Sequence, residues 1–243
     1  MSETAPPGSL GEPSDSPECP RCGKPAALCV CDDVTPITCR TQLVILQHPQ
    51  EQDRLLGTAR LAALHFKDAV VKVGLSWPSL SKLLGRPVDP ARWAVLYLGS
   101  ARVPAGAGRD EVIAVDRKGL PEPDQRGILK GIEGVVLLDG SWSQAKALWW
   151  RNPWLLKCQR VVLAPARPSL YGKLRREPRR EGVSTLEAAA LLISRLEERP
   201  DIRQTLERAF QGLLVKYREM AATTPEQLPP PKPRRDWRRR KRA

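Results

Sequence analysis

Four of the six cysteines stand within thirteen residues, Cys19, Cys22, Cys29 and Cys31, in the spacing C-x2-C-x6-C-x-C. Thiolates this close can surround one tetrahedral zinc ion, and Gly23 allows the tight turn of a knuckle. With sulfur at all four positions no coordination site stays open, so the metal would stabilise its segment rather than catalyse. A disulfide pair is the alternative, and a reducing compartment disfavours it. A redox C-x-x-C belongs at a strand-to-helix junction, which this is not. Cys39 and Cys158 have no such company and read as small buried hydrophobes. With only His48 and His65 in the chain, a histidine-based catalytic metal site is not expected.

A second constellation centres on one carboxylate. Val135-Val-Leu-Leu-Asp139-Gly140-Ser141-Trp142-Ser-Gln144 reads as a buried strand, a tight turn and a helix. Ser141 followed three residues later by Gln144 is a capping-box pattern. Asp139 then sits at a strand's carboxyl end beside exposed helix N–H groups, where active-site carboxylates occur; a purely local role in the turn is the alternative. Ser184 and Glu187, in Gly182-Val-Ser184-Thr185-Leu186-Glu187, repeat the pattern. Such a helix start either caps itself or binds a carboxylate or phosphate. Just upstream, Arg167 to Arg180 holds six basic residues in fourteen, interleaved with Tyr171. A basic loop feeding an anion site is what delivery of nucleic acid to a reaction centre requires. His48 follows the first strand directly, either as a structural histidine or as part of the site. The lone Gly106-Ala-Gly108 runs into a strand and is no dinucleotide fingerprint, and neither a P-loop nor G-x-S-x-G occurs.

The elements that must position these groups follow from periodicity. Strands are predicted at Leu43–Gln47, Ala69–Val73, Trp93–Leu98, Val112–Asp116, Val135–Asp139 and Val161–Leu163, and helices at Asp53–Phe66, Trp142–Trp150, Thr185–Glu198 and Asp201–Met220. Leu186, Ala189, Ala190, Ile193 and Leu196 share one helix face, as do Ile202, Leu206, Phe210, Leu213 and Tyr217. Trp149, Trp150 and Trp154 read as core or helix-surface packing. Strands alternating with helices predict an α/β fold, a mostly parallel sheet with helices on both faces, its ligands beyond the strands' carboxyl ends.

In 243 residues, 41% of them apolar, there is a real core and no wholesale disorder. The division expected is a disordered N-terminus over 1–17, the four-cysteine knuckle over 18–39, a catalytic domain over 40–222 and a Pro-rich basic tail over 223–243. That tail can grip phosphates, with Trp237 free to stack on a base, or can simply solubilise. No apolar run is long enough to span a membrane, and the first residues lack the apolar stretch of a secretory signal, which together predict a cytoplasmic protein. Forty Lys and Arg against 27 Asp and Glu, net +13, point to a polyanionic partner, nucleic acid before a merely solubilising surface.

From Cys19 to about Arg199 the chain resembles the DTW-domain family, the tRNA-uridine aminocarboxypropyltransferases. Five pieces in order carry the resemblance: the four-cysteine knuckle, His48-Pro-Gln-Glu51 with Arg54 and Thr58, Asp139-Gly-Ser-Trp142, Tyr171-Gly-Lys-Leu-Arg175, and Ser184-Thr-Leu-Glu187-Ala188. Ser141 stands where the family usually has Thr, which preserves the capping hydroxyl. Gly57-Thr-Ala stands where many members have Asn-Thr-Gly.

The resemblance implies a SPOUT-like fold with a C-terminal knot, and an S-adenosylmethionine-dependent enzyme that moves the 3-amino-3-carboxypropyl arm, not the methyl, to N3 of a tRNA uridine. Asp139 is then a general base for the N3 proton or an orienting group, and Trp142 stacks on adenine or uracil or belongs to the core. Asp139, Gly140 and Leu186 are expected at the cofactor too, the helix starts at Ser141 and Ser184-Thr185 hold its carboxylate, Glu187 meets its ammonium, and Leu98, Gly99 and Ser100 line the adenosine pocket. His48, Arg54, Thr58, Tyr171, Arg175, Arg176 and Arg179 are expected against tRNA. The protein would be a monomer or homodimer without an obligate protein partner. The rivals are a SPOUT-type RNA methyltransferase, separable by product mass, and a non-catalytic zinc-knuckle RNA-binding protein. A phosphate-binding hydrolase lacks a recognisable nucleophile.

Overall fold

The computed structural model describes residues 18–51, 55–96, 111–172, 174 and 182–223. Six strands form one sheet: β1 (Gln42–Gln47), β2 (Val70–Val73), β3 (Trp93–Leu96), β4 (Glu111–Val115), β5 (Gly134–Asp139) and β6 (Gln159–Ala164), in the order β2-β1-β5-β3-β6-β4. Every neighbouring pair is parallel except β4 with β6. The mostly parallel sheet expected from the alternation of elements is therefore present, with one antiparallel strand at its edge, a common ending for such sheets.

Near-continuous apolar strands imply cover on both sides, and both are covered. From β1, Leu43 and Ile45 enter the layer formed with α1 (Ala59–Leu64), α5 (Thr185–Glu197) and α6 (Pro200–Thr223). Val44 and Leu46 enter the opposite layer, with α2 (Leu80–Leu84), α4 (Trp142–Arg151) and Trp154 and Leu155 of a 3₁₀ turn. The cysteine segment shares the first of these cores, since Leu28 and Val34 pack in the same cluster as α5 and α6. Lys216 of α6 ties down the Cys29 carbonyl, and Arg21 donates to the carbonyls of Cys31 and Val34.

Several elements differ from expectation. The helix predicted from Asp53 begins only at Ala59, after Gly57 and the capping position Thr58. The short α2 and α3 (Gln125–Gly131) were not foreseen, although Ser79 and Asp124 cap them by accepting from Lys82 N and Gly127 N. Trp154 is buried and Trp149 half-buried, whereas Trp150 points to solvent. Cys158 is buried as expected, but Cys39 is only half-buried against the core. His65 is a buried structural histidine, its Nδ1 2.8 Å from the Leu61 carbonyl. The expected 1–17 arm and the tail beyond Thr223, with Trp237, lie outside the described residues. No described helix is long and apolar enough to cross a membrane.

Candidate active site

Parallel pairing brings the carboxyl ends of β1 and β5 together, with Gln47 directly opposite Asp139. The His48 backbone N–H donates to the Asp139 carbonyl at 2.9 Å, which fixes the two strands in register at the site itself. Asp139 is 8% exposed, and each carboxylate oxygen has a neutral donor: Gln47 Nε2 reaches Oδ2 at 2.9 Å, and the Thr185 hydroxyl donates to Oδ1. Gln47, itself 3% exposed, keeps its Oε1 buried with no partner among the described residues. The chain then turns at Gly140, where a β-carbon would meet Gln144 Cβ at 2.8 Å. Glycine alone allows this approach. Gln144 Oε1 accepts from Ser141 N at 2.6 Å, and its amide reaches Gln50 Oε1 at 3.2 Å. His48 Nδ1 accepts from Gln50 N at 3.2 Å, so the neutral ring carries its proton on Nε2.

The start of α5 faces the same spot. Asp139, Gly140, Ser184 and Thr185, with Leu96, Leu137, Val183 and Ala188, line a pocket of about 80 Å³. That is room for an amino-acid head, well short of the roughly 300 Å³ of a whole-cofactor site. Ser184 Oγ accepts from Glu187 N, and Glu187 Oε2 accepts from Ser184 N at 2.8 Å, so the capping box read from the sequence is present. A larger hollow of about 720 Å³, lined by Arg40, Arg126, Lys130 and Arg195, holds no nucleophile, and its Glu197 carboxylate is spent on Arg40 and Thr41.

Several residues expected to face a ligand are used by the chain itself. Glu187 accepts from Leu170 N at 2.8 Å and from Ser169 Oγ at 2.6 Å besides its capping bond, so both of its oxygens are engaged within the chain. Leu186 has its side chain in the core and its N–H on Thr58 Oγ1 at 3.3 Å. Thr58 is buried by the same contact, so it does not meet RNA. Tyr171, 1% exposed, stands edge-on to Phe210 with ring centroids 4.9 Å apart, and its hydroxyl donates to the Leu56 carbonyl at 2.6 Å. A phenol so enclosed cannot stack on a base. Trp142 is half-buried in the first turn of α4, with Lys146 Nζ 5.6 Å from its ring centroid. Leu98, Gly99, Ser100, Arg54, Arg175, Arg176 and Arg179 lie outside the described residues.

The sulfur atoms of Cys19, Cys22, Cys29 and Cys31 all lie within 4.8 Å of one another. Zinc–sulfur bonds of about 2.3 Å put tetrahedral sulfurs about 3.8 Å apart, and Cys19 and Cys31 are 3.9 Å apart. Gly23 makes the turn at φ +66°, as the spacing required. Sequence reasoning missed Gln47 and Lys24. Lys24, 4% exposed, leaves the knuckle to donate to the carbonyls of Leu55 at 2.5 Å and Gly57 at 2.8 Å. Burial pulls its ammonium down to about 8, against the upward pull of Cys22, Cys31 and Asp139. The one visible signal for Gln47 was a polar residue ending an apolar strand.

A carboxylate held at the end of a central strand, a capped helix start and a four-sulfur cluster now stand in one molecule, and comparison with known proteins finds relatives over most of the chain. The DTW domain description matches residues 16–218. A Drosophila melanogaster protein named tRNA-uridine aminocarboxypropyltransferase 2 is 33% identical over 211 residues, 84% of this chain and 76% of its own length. A Mus musculus protein of that name is 32% identical over 202 residues, 81% of this chain; the match spans only 62% of the mouse protein. No solved structure matches the chain at a significant level. With a family match over most of its length, the chain belongs to the DTW domain family.

Proposed function

We propose that this protein transfers the 3-amino-3-carboxypropyl group of S-adenosylmethionine to N3 of a uridine in tRNA. Family membership and the activity in the relatives' name support the reaction class. The observation that carries it within this chain is the Asp139 carboxylate, held from both sides at the mouth of a pocket sized for an amino-acid head. The residues fit the donor: Gln47 Oε1 is a buried acceptor without a partner among the described residues, suited to an ammonium. It replaces Glu187 in that role. The outward hydroxyls of Ser141 and Ser143, 3.2 Å apart at the start of α4, suit a carboxylate.

When bound, S-adenosylmethionine supplies a carbon already activated by its sulfonium: the N3–C bond forms as the C–S bond breaks, and the bonding pair stays on sulfur. Uridine N3 is nucleophilic only after losing its proton, and Asp139 is placed to accept it or to orient the base. Thr185 and Gln47 hold that carboxylate in one rotamer, which aligns the reacting atoms. Trp142 offers a ring at the edge of the site, and His48, Arg54, Arg175, Arg176 and Arg179 are the proposed tRNA contacts. Leu98, Gly99 and Ser100 remain the proposed adenosine wall.

The same reading makes the fold SPOUT-like with a C-terminal knot. Its support is the insertion of β5 between β1 and β3, and α5 packing back over β4, β5 and β6. Structural zinc in the four-cysteine site is supported by the sulfur spacing, and six unpaired thiols suit a reducing, cytoplasmic setting. The test is mass spectrometry of nucleosides from unmodified tRNA incubated with protein and S-adenosylmethionine. An aminocarboxypropyl uridine with methylthioadenosine released is expected. A methylated nucleoside with S-adenosylhomocysteine would overturn the reaction while keeping the donor.

A further inference from the structure

The outward face of α4 carries a row of side chains that starts at the edge of the site with Trp142 and leads away from it. Trp142, Lys146 and Trp150 follow one another at four-residue steps, so they lie in a single row about 12 Å long. Trp150 is 76% exposed, and Lys146 and Arg151 are exposed as well. A large indole left in water is unusual. The neighbouring tryptophans are built in: Trp154 donates Nε1–H to the Trp77 carbonyl at 3.0 Å, and Trp149 packs against the core. Lys146 already stands over the Trp142 ring, which holds both in place for a third partner.

We propose that this face is a track for the RNA strand flanking the target uridine, with a base stacked on Trp150 and phosphates met by Lys146 and Arg151. The inference rests on the RNA-substrate reading above. Two observations select RNA. The helix contains no acidic residue and belongs to a chain of net charge +13, so the face complements a polyanion. It is also continuous with the site, because α4 begins at Trp142, just past the turn that follows Asp139, and leads away from it. Alternating aromatic and cationic side chains bind single strands through stacking and phosphate contact. At about 3.4 Å per nucleotide, the row is as long as about three stacked steps.

The test measures unmodified tRNA binding by filter retention, and KM for tRNA, with full-length wild type, Trp150→Ala, Trp150→Phe and Lys146→Gln. Trp150→Ala is expected to weaken tRNA binding and raise KM at least about five-fold. Trp150→Phe should stay within about two-fold of wild type, since the phenyl ring still stacks. Lys146→Gln should lower the salt slope of binding by about one. Affinity for S-adenosylmethionine should not change in any of them. Wild-type tRNA affinity in Trp150→Ala would overturn the proposal and leave the functional reading intact. So would a change of oligomeric state with unchanged tRNA affinity, which would give the face to a second copy. A wild-type protein that binds no tRNA would overturn both.

Discussion

At the scale of single residues, Asp139 shows how a buried carboxylate is kept in one orientation by neutral partners. Asparagine at this position can still accept from Gln47 and can donate to Thr185 Oγ, so Asp139→Asn removes charge while sparing geometry. Turnover is expected to fall by about 10²–10⁴-fold. Single-turnover kinetics with tRNA binding measured in parallel checks this, and full turnover would remove the base assignment. Tyr171 makes the opposite point. Its place in a basic run suggested RNA, but its ring and hydroxyl are both spent inside the protein. Tyr171→Phe should cost about 1 kcal/mol of stability by denaturant titration, without altering the salt dependence of tRNA binding. Glu187 and Thr58 belong with it. Spacing along a chain tells where a polar group lies on its own element, not which neighbour folding brings to it.

At the scale of elements, α5 is the piece the site depends on, and both its ends were partly legible. Its Ser184–Glu187 box was visible as a spacing, and Ser184→Ala should lower stability by about 1 kcal/mol in denaturant titration. Its other end is tied to the start of β1 by Glu197, which accepts from Thr41 Oγ at 2.6 Å, Thr41 N at 2.8 Å and Arg40 N at 3.0 Å. Burial alone would raise this carboxyl, but the hydrogen bonds outweigh it and hold the group below its usual 4.5. A depressed folded-state value stabilises the protein above the unfolded value, and that contribution is lost as pH falls through the folded one. The melting-temperature gap between wild type and Glu197→Gln should therefore be constant at neutral pH, begin to narrow only as pH falls towards the usual 4.5, and close as it falls through the depressed folded-state value. Thermal scans across that range decide it. The sequence showed one apolar face for α5, yet Ala188, Leu191 and Leu192 are buried too, because α6 and α1 cover the side the sheet does not. By contrast α2 and α3, of five and seven residues, are too short for any periodicity to show.

At the scale of the whole molecule, the cysteine segment is no loose appendage. Leu28 and Val34 share the core of α5 and α6, and Lys24 bridges to the loop that leads into Thr58. Thr58 in turn holds the start of α5, and Thr185 holds Asp139. If zinc fills the four sulfurs, a chelator should lower the melting temperature of the entire domain in one transition, with zinc released in a one-to-one ratio. Calorimetry with metal analysis would show it. A separate early transition confined to the N-terminal segment would contradict the shared core.

The sequence by itself determined the alternation of strands and helices, the four-sulfur spacing and the helix starts beside Asp139 and Ser184. Each of these is set by residues within one turn or one strand of each other. Only the tertiary structure decided that Gln47 lies opposite Asp139, that Thr185 reaches it from 46 residues away, and that Glu187 and Tyr171 face inward. The reason is physical: periodicity records which face of an element is buried, whereas strand order and register choose what it is buried against.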